Sequence, residues 1–426
     1  MKTSPGRSIL RGMLWVSGFV FLAKLAGAFK EMAVAAGFGT GPVVDGYLVA
    51  FNVVNYPVAL ALGVVSLVLV PLAARAQGAP EADLRRFHGE LLGWTLLAGL
   101  LIGAGVVLCA PLLPVLVKGQ GGLMGQEMLR TLALVVPFGL VSSLLASWML
   151  AAGRHLNTLL EAVPSLLLLL ALLVAGSRVE VLVWGTIAGF VCQTVFFSVL
   201  LGRGAGLARP RLSLRAPLWV DFRRGLGIMI FGQALTALLP MLDQFFCGSL
   251  GEGAISTLGY ASRIMALILG LGATSLGRAS LPVLSAMVAG GGDLRGGLLR
   301  WTAMIVAAGA LLALLAALFA PVGVQVLFER GAFSAQDTRQ VSEVLRWSLL
   351  QLPVYFLSTF FSMVLAARQQ HGVIVAITAA AIVAKCLAYL ALVDWLGVRG
   401  VVLSSAVMYG VVVVLQGWVC LGRGRK

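Results

Sequence analysis

Twelve long apolar segments, separated by short polar loops, run through the whole chain. A helix needs about 20 apolar residues to cross a bilayer core about 30 Å thick, and the segments reach that length. They lack the alternating ten-residue strands of an outer-membrane barrel. The sequence therefore predicts an all-α polytopic membrane protein with about 12 transmembrane helices. Their predicted ranges are 8–38, 43–74, 91–117, 127–152, 156–176, 179–202, 225–250, 254–288, 300–328, 340–367, 372–393 and 399–421.

The composition supports this prediction and argues against an enzyme. With 60% hydrophobic and 11% charged residues, the chain cannot cover a soluble domain with a charged shell. Its three histidines lack metal-ligand spacing, and no Walker loop, HExxH motif or nucleophile elbow is present. Glycine clusters at 119–122 and 290–292 lack the strand and helix of a phosphate-binding loop, so we interpret them as turns. We expect no catalytic residue, no metal and no cofactor.

The net charge of +15 is distributed unevenly between the two sides of the predicted membrane. When loops are assigned by alternation, nineteen Lys and Arg residues fall on one side and five on the other. The five are Lys118, Arg178, Arg330, Arg339 and Arg399. This positive-inside bias places both termini in the cytoplasm of a cell-membrane protein. The bias accounts for most of the basic excess, and contact with anionic membrane lipids would add to it. We therefore expect no nucleic acid partner.

The two halves of the chain repeat a common pattern. Met128-Leu129-Arg130, followed by Pro137, recurs as Val344-Leu345-Arg346, followed by Pro353. We predict two pseudo-symmetric six-helix lobes at 1–202 and 225–426, joined by a cytoplasmic linker at 203–224. Parallel repeats of this kind commonly bind substrate where the halves meet and work by rocking. A duplicated scaffold without transport activity is the alternative.

Charged side chains inside the apolar segments are the candidate substrate-binding residues. An intramembrane cation costs about 2.5–3.5 kcal/mol on insertion scales, so such residues usually face the protein interior or a water-filled path. We predict that the cations attract a pyrophosphate, and that the acids set the charge balance and respond to a coupling cation or the membrane potential. The cations are Lys24, Lys30 and Arg263, and the acids are Glu31, Asp45 and Asp243.

Two further expectations concern how these charges pair. Lys24 and Glu31 share a helix face, whereas Lys30 is rotated by roughly 120°. Lys30 and Asp243 occupy equivalent positions of the two halves and could pair across them, either at the transport site or as a purely structural ion pair that fixes helix packing. The other charges within or at the ends of segments are Arg130, Glu161, Arg278, Arg346 and Lys385, of which the three arginines and Glu161 lie near predicted helix ends.

Several segments resemble a known family. They are FLAKLAGAFKE at Phe21–Glu31, GFGTG at Gly37–Gly41, LGYASR at Leu258–Arg263, LPVLS at Leu281–Ser285 and LFERGAFS at Leu327–Ser334. Together they resemble the MurJ/MviN family of lipid II flippases, which belongs to the multidrug/oligosaccharidyl-lipid/polysaccharide (MOP) exporter superfamily. The resemblance covers nearly the whole chain.

The resemblance implies a V-shaped pair of six-helix lobes that opens alternately to each side of the membrane. Its cargo would be an undecaprenyl-pyrophosphate-linked peptidoglycan precursor. Lys24 and Lys30 stand where the family has functional arginines, Glu31 where it has an aspartate, and Asp45 and Arg263 where it has the same residues. The chain departs from the family in three respects. Asn55–Gly63 lacks the family's second-helix charges, Ser262 replaces an acid, and typical family members add two helices to the twelve predicted here.

The predicted function is therefore a lipid II flippase. The nearest alternative is a flippase for exopolysaccharide or capsule repeat units carried on a polyprenyl lipid. A multidrug exporter agrees less well with three cations in the predicted cavity. A membrane glycan polymerase normally needs a large external loop, and every predicted outward loop is short.

Overall fold

The computed structural model describes residues 5–75, 80–152, 157–203, 208–289 and 294–422. Their regular structure is helical throughout, including one 3-10 turn at Ala110–Leu112. The sixteen α-helices in these ranges are α1 Pro5–Phe38, α2 Pro42–Arg75, α3 Glu81–Cys109, α4 Leu113–Leu116, α5 Gln120–Leu132, α6 Val135–Ala151, α7 Asn157–Leu160, α8 Val163–Ala175, α9 Val179–Gly202, α10 Trp219–Cys247, α11 Ala254–Ala289, α12 Leu294–Phe328, α13 Ala335–Leu349, α14 Leu352–Ala367, α15 His371–Leu396 and α16 Val398–Gly422.

The all-helical, multi-pass prediction is confirmed. Within the described ranges, eight helices are long and apolar enough to cross a membrane, and ten spans result if two bent helix pairs each count as one. Each of the twelve predicted segments corresponds to a helix or to a helix pair. The two segments outside the ten are α1 and the segment containing α8, an apolar helix of only 13 residues.

The two bent helix pairs coincide with the internal sequence repeat. The bend is 56° between α5 and α6 and 43° between α13 and α14. Pro137 and Pro353, the repeated prolines, lie in the first turn of α6 and of α14. Proline has no N–H and disfavours helical geometry in the residue before it, so it is tolerated at a helix start and interrupts the preceding helix. The same chemistry thus bends equivalent helices in both halves.

Contacts along the chain define two compact units, Met1–Met241 and Leu242–Lys426. In the first unit, α2 packs on α5 and α6, α8 packs on α1 and α9, and α3 packs on α6. In the second unit, α12 packs on α13 and α14, and α16 packs on α14 and α15. The division falls inside α10, whereas the sequence suggested a linker at 203–224. The domain boundaries 1–202, 203–224 and 225–426 stay a prediction.

The described part of the predicted linker is bound to α3. The carboxylate of Glu90, which is fully buried, accepts hydrogen bonds from the Ala216 N–H at 3.1 Å and from Trp219 Nε1 at 2.7 Å. The Arg211 N–H donates to the Gly89 carbonyl at 2.9 Å. A Cβ on Gly89 would lie 2.5 Å from the Arg209 carbonyl oxygen, so glycine is needed for this close approach. Residues 208–219 are therefore anchored to the first unit.

Glycines also bring α2 and α5 into backbone contact. A Cβ on Gly46 would lie 2.7 Å from the backbone nitrogen of Gly125, which leaves no room for a side chain. Small residues at helix crossings allow this close packing in membrane proteins. Gly121 and Gly122 belong to α5, and Gly121 lies against Asp45, so the turn predicted at 119–122 is wrong for these two glycines. The predicted turn at 290–292 lies outside the described residues.

Candidate functional site

Lys30 and Glu31 form an ion pair on α1. The distance from Lys30 Nζ to Glu31 Oε1 is 2.5 Å, and the side chains are only 14% and 10% exposed. Helical geometry favoured Lys24 as the neighbour of Glu31, yet the flexible lysine side chain of the adjacent residue reaches its carboxylate. The charge of Lys30 is therefore compensated within its own helix.

Lys24 and Arg263 are the more accessible predicted cations. The Lys24 side chain is exposed on α1, and no ion-pair partner for it lies in the described part of the chain. Arg263 is half-buried on α11, in the second unit. The arginines that we placed near helix ends, Arg130, Arg278 and Arg346, are all exposed.

Asp45 is buried in the first turn of α2. Backbone N–H groups and the helix dipole stabilise a negative charge at this end of a helix. The side chain also contacts α5, because a Cβ on Gly121 would lie only 3.2 Å from Asp45 Cβ. Asp45 thus occupies a position at which a buried carboxylate is stabilised by the fold.

Asp243 is bound by two side chains of α15. Lys385 Nζ lies 3.0 Å from Asp243 Oδ1 and 3.1 Å from Oδ2, and the Tyr389 hydroxyl donates to Oδ1 at 2.6 Å. Lys385 is 2% exposed and its ammonium lies 5.5 Å from the centre of the Tyr389 ring. Asp243 thus has a partner in its own unit, as Lys30 does. A pair between Lys30 and Asp243 stays a prediction.

The first unit contains a cavity of about 310 Å³. Its wall is built from α1, α2, α6, α8, α9 and the turn before α8. Among the six predicted site residues, Lys30 is the one in this wall. The wall residues of the described chain are Lys30, Tyr47, Phe51, Asn55, Val58, Ala59, Leu62, Ser142, Ser143, Ala146, Glu161, Pro164, Ser165, Leu168, Thr186, Phe190, Gln193 and Phe197.

Sequence reasoning missed most of the polar residues that the structure brings together. Lys385 was recognised as an intramembrane charge but not as the partner of Asp243, and Tyr389 carried no signal. Glu161 was predicted near a helix end and lies in the exposed turn between α7 and α8, but the sequence did not indicate that it lines a cavity. Serines and threonines inside apolar segments resemble ordinary helix residues, because their hydroxyls can bond the preceding turn. Only the fold shows that several of them share one wall.

The fold is that of MOP-type transporters. A solved structure described as "Lipid II flippase MurJ, inward closed conformation" matches with a TM-score of 0.78 and 16% identity over 95% of this chain and 87% of that one. An inward-facing multidrug resistance MATE family transporter of the MOP superfamily matches with a TM-score of 0.71 and 17% identity over 95% and 96% of the two chains. These similarities show the fold, and together with the apolar helices they define the class as multi-pass helical membrane proteins.

Sequence comparisons identify the family. The family described as "MurJ: Lipid II flippase MurJ" matches residues 34–425, and this chain belongs to that family. The "Probable lipid II flippase MurJ" of Rhizobium tropici is 27% identical over 432 residues, covering 94% of this chain and 78% of that protein. The "Lipid II flippase MurJ" of Burkholderia cenocepacia is 28% identical over 364 residues, covering 79% and 69%. The resemblance found in the sequence is confirmed.

Proposed function

We propose that this protein is a flippase that moves lipid II, the undecaprenyl-pyrophosphate-linked peptidoglycan precursor, from the inner to the outer leaflet of the bacterial cell membrane. The observation that carries this proposal is the family match over residues 34–425. The apolar helices agree with it, because a lipid-linked substrate must be handled within a bilayer. The positive-inside bias supports an orientation with both termini in the cytoplasm.

The mechanism is alternating access without covalent chemistry. Lys24 in the first unit and Arg263 in the second are each a proposed contact of the pyrophosphate, since both side chains are charged and accessible. Arginine offers a planar fork of donors that matches phosphate oxygens, whereas Lys24 acts as a point charge. Lys30 contributes less to this attraction, because Glu31 compensates its charge.

The membrane potential is the energy source that these charges favour. Moving one elementary charge across 100 mV is worth about 2.3 kcal/mol, so the two negative phosphates couple transport to the potential. A coupling cation at Asp243 would compete with the ammonium of Lys385, which already contacts both carboxylate oxygens. We therefore propose coupling through the charge of the substrate and not through a cation on Asp243.

A transport measurement in proteoliposomes tests the function. The full chain is reconstituted with lipid II or with an undecaprenyl-pyrophosphate oligosaccharide that has no peptide. Translocation of lipid II supports the proposal, and translocation of the oligosaccharide alone would instead identify a polysaccharide flippase. Transport of neither would contradict both.

A pair of variants on α11 tests the site. We expect Arg263→Ala to lower lipid II transport about tenfold or more, since a hydrogen bond to a charged group contributes about 1.5–3 kcal/mol. Arg278→Ala is the matched control, because Arg278 is an exposed arginine on the same helix. Equal transport by both variants would remove Arg263 from the site.

A further inference from the structure

The cavity of the first unit has aromatic rings in its wall. The Tyr47 and Phe51 rings are stacked with centroids 5.9 Å apart, and the centroid of Phe190 lies 6.5 Å from that of Phe51. All three residues line the cavity. Rings of this kind offer an apolar surface against which a flat or chair-shaped group can lie.

Two serine hydroxyls of the wall, those of Ser142 and Ser143, donate their hydrogens to backbone carbonyls. Ser142 Oγ donates to the Gly139 carbonyl at 2.9 Å, and Ser143 Oγ donates to the Val58 carbonyl at 3.1 Å. A hydroxyl has one hydrogen and two acceptor lone pairs. Both serines can therefore only accept a hydrogen bond from a group in the cavity.

The hydroxyls of Tyr47 and Thr186 also have their hydrogens engaged in hydrogen bonds within the protein. Thr186 Oγ1 donates to the Leu182 carbonyl at 2.8 Å, so in its 2.9 Å bond with the Tyr47 hydroxyl the tyrosine is the donor. Each hydroxyl oxygen can then only accept a further hydrogen bond. Gln193 also commits an Nε2 hydrogen to the Leu160 carbonyl at 3.1 Å.

Glu161 adds a carboxylate to this wall. It lies in the turn between α7 and α8, and an ionised carboxylate only accepts hydrogen bonds. Lys30 also lines the wall, but Glu31 compensates its charge, so Glu161 gives the wall a net negative charge. The wall therefore presents acceptors and the neutral amide donors of Asn55 and Gln193 beside aromatic rings.

The charge and hydrogen-bonding groups of the wall determine which part of a lipid-linked glycan the cavity can bind. A pyrophosphate is negatively charged and only accepts hydrogen bonds. The acceptors of the wall and the Glu161 carboxylate would therefore repel it. A sugar ring carries O–H and N–H donors around an apolar ring face. The donors complement the acceptors of the wall, and the apolar face complements its aromatic rings. The volume of about 310 Å³ also has room for roughly ten water-sized groups at about 30 Å³ each, much more than one cation needs.

We infer that the cavity in the first unit is a glycan subsite, which takes one sugar ring of the lipid-linked headgroup while the pyrophosphate stays outside it. This inference rests on the proposed flippase function. It assigns recognition of the sugar to Glu161, Ser142 and Ser143 and to the aromatic rings of Phe51 and Phe190.

The test compares the affinity of the purified full chain for two probes, lipid II and bare undecaprenyl pyrophosphate. The detergent must have no sugar headgroup, because a glycosidic detergent would compete for the subsite. We expect wild-type protein to bind lipid II at least about tenfold more tightly than the bare lipid. Equal affinities would overturn the inference.

Two variants locate the preference in the cavity. Ala59→Phe fills the cavity from an exposed position on α2, with Val70→Phe, also exposed on α2, as its control. Glu161→Ala removes the carboxylate, with the exposed Glu180→Ala as its control. Both cavity variants should lose the preference for lipid II and keep the affinity for the bare lipid, while the controls keep both.

The outcomes separate this inference from the proposed function. Cavity variants that retain the preference, or that weaken both lipids equally, would contradict the subsite. Lipid II transport by a wild-type protein without any preference would also contradict it and leave the flippase function intact. A preference for lipid II without transport would support the subsite and contradict the flippase function.

Discussion

Lys385 on α15 places its ammonium 3.0 and 3.1 Å from the two carboxylate oxygens of Asp243 on α10. The two residues are 142 positions apart in sequence. Their charges neutralise each other inside the second unit, where a lone charge would be costly. The pair therefore links α10 to α15 within the second unit.

The first prediction concerns this pair. Lys385→Met should destabilise the protein by about 3 kcal/mol, the lower end of the range for breaking a buried pair, because Asp243 is 24% exposed. The double variant Lys385→Met with Asp243→Leu should recover most of this loss, since no charge is left without a partner. Thermal unfolding of the purified variants measures both effects. Additive losses in the double variant would show that the two charges do not stabilise each other.

The second prediction concerns the anchored linker. Glu90→Ala leaves the Ala216 N–H and Trp219 Nε1 without their acceptor, at a cost of about 1–3 kcal/mol for each buried group. We expect residues 208–219 to detach from α3 and trypsin to cut after Arg211 or Arg215, since Pro210 protects the bond after Arg209.

Limited trypsin digestion followed by mass spectrometry measures this cleavage. Glu81→Ala is the control, because Glu81 is exposed and pairs with Arg85 on its own helix. Equal cleavage rates in the two variants would show that Glu90 does not hold the linker.

The third prediction concerns the crossing of α2 and α5. Gly46→Ala puts a methyl group 2.7 Å from a backbone nitrogen of α5, so the helices must separate. Overpacking of this kind costs about 1–3 kcal/mol, and it displaces the neighbouring Asp45. Gly105→Ala on α3 is the control, since nothing lies within 4 Å of its added methyl group. A lower melting temperature is expected for Gly46→Ala only.

The fourth prediction concerns the phosphate contact at Lys24. Lys24→Ala should lower lipid II transport about tenfold, whereas Lys24→Arg should retain or raise it, because the guanidinium keeps the charge and adds a second donor. Initial transport rates in proteoliposomes distinguish the two variants. A loss with both variants would indicate that lysine shape matters more than charge, and unchanged transport with both would exclude the contact.

The resemblance and the apolar pattern predicted the fold class well, because both depend on local sequence. Segment length and hydropathy indicated the helices, and the repeated Pro137 and Pro353 indicated the internal repeat, whereas the bends beside them were found in the structure. The site was predicted less completely. The sequence identified Lys30, Glu31 and Asp243 as intramembrane charges, yet it gave Lys30 no partner on its own helix and Asp243 no partner on α15.

The sequence by itself determined that this is a helical, multi-pass membrane protein of the lipid II flippase family, since composition, periodicity and family motifs are properties of neighbouring residues. Tertiary structure alone decided which charges are compensated and where a cavity forms. Glu90 with Trp219, Asp243 with Lys385, and Tyr47 with Thr186 meet across 129, 142 and 139 positions. Contacts over such separations depend on how helices pack, which no local pattern specifies.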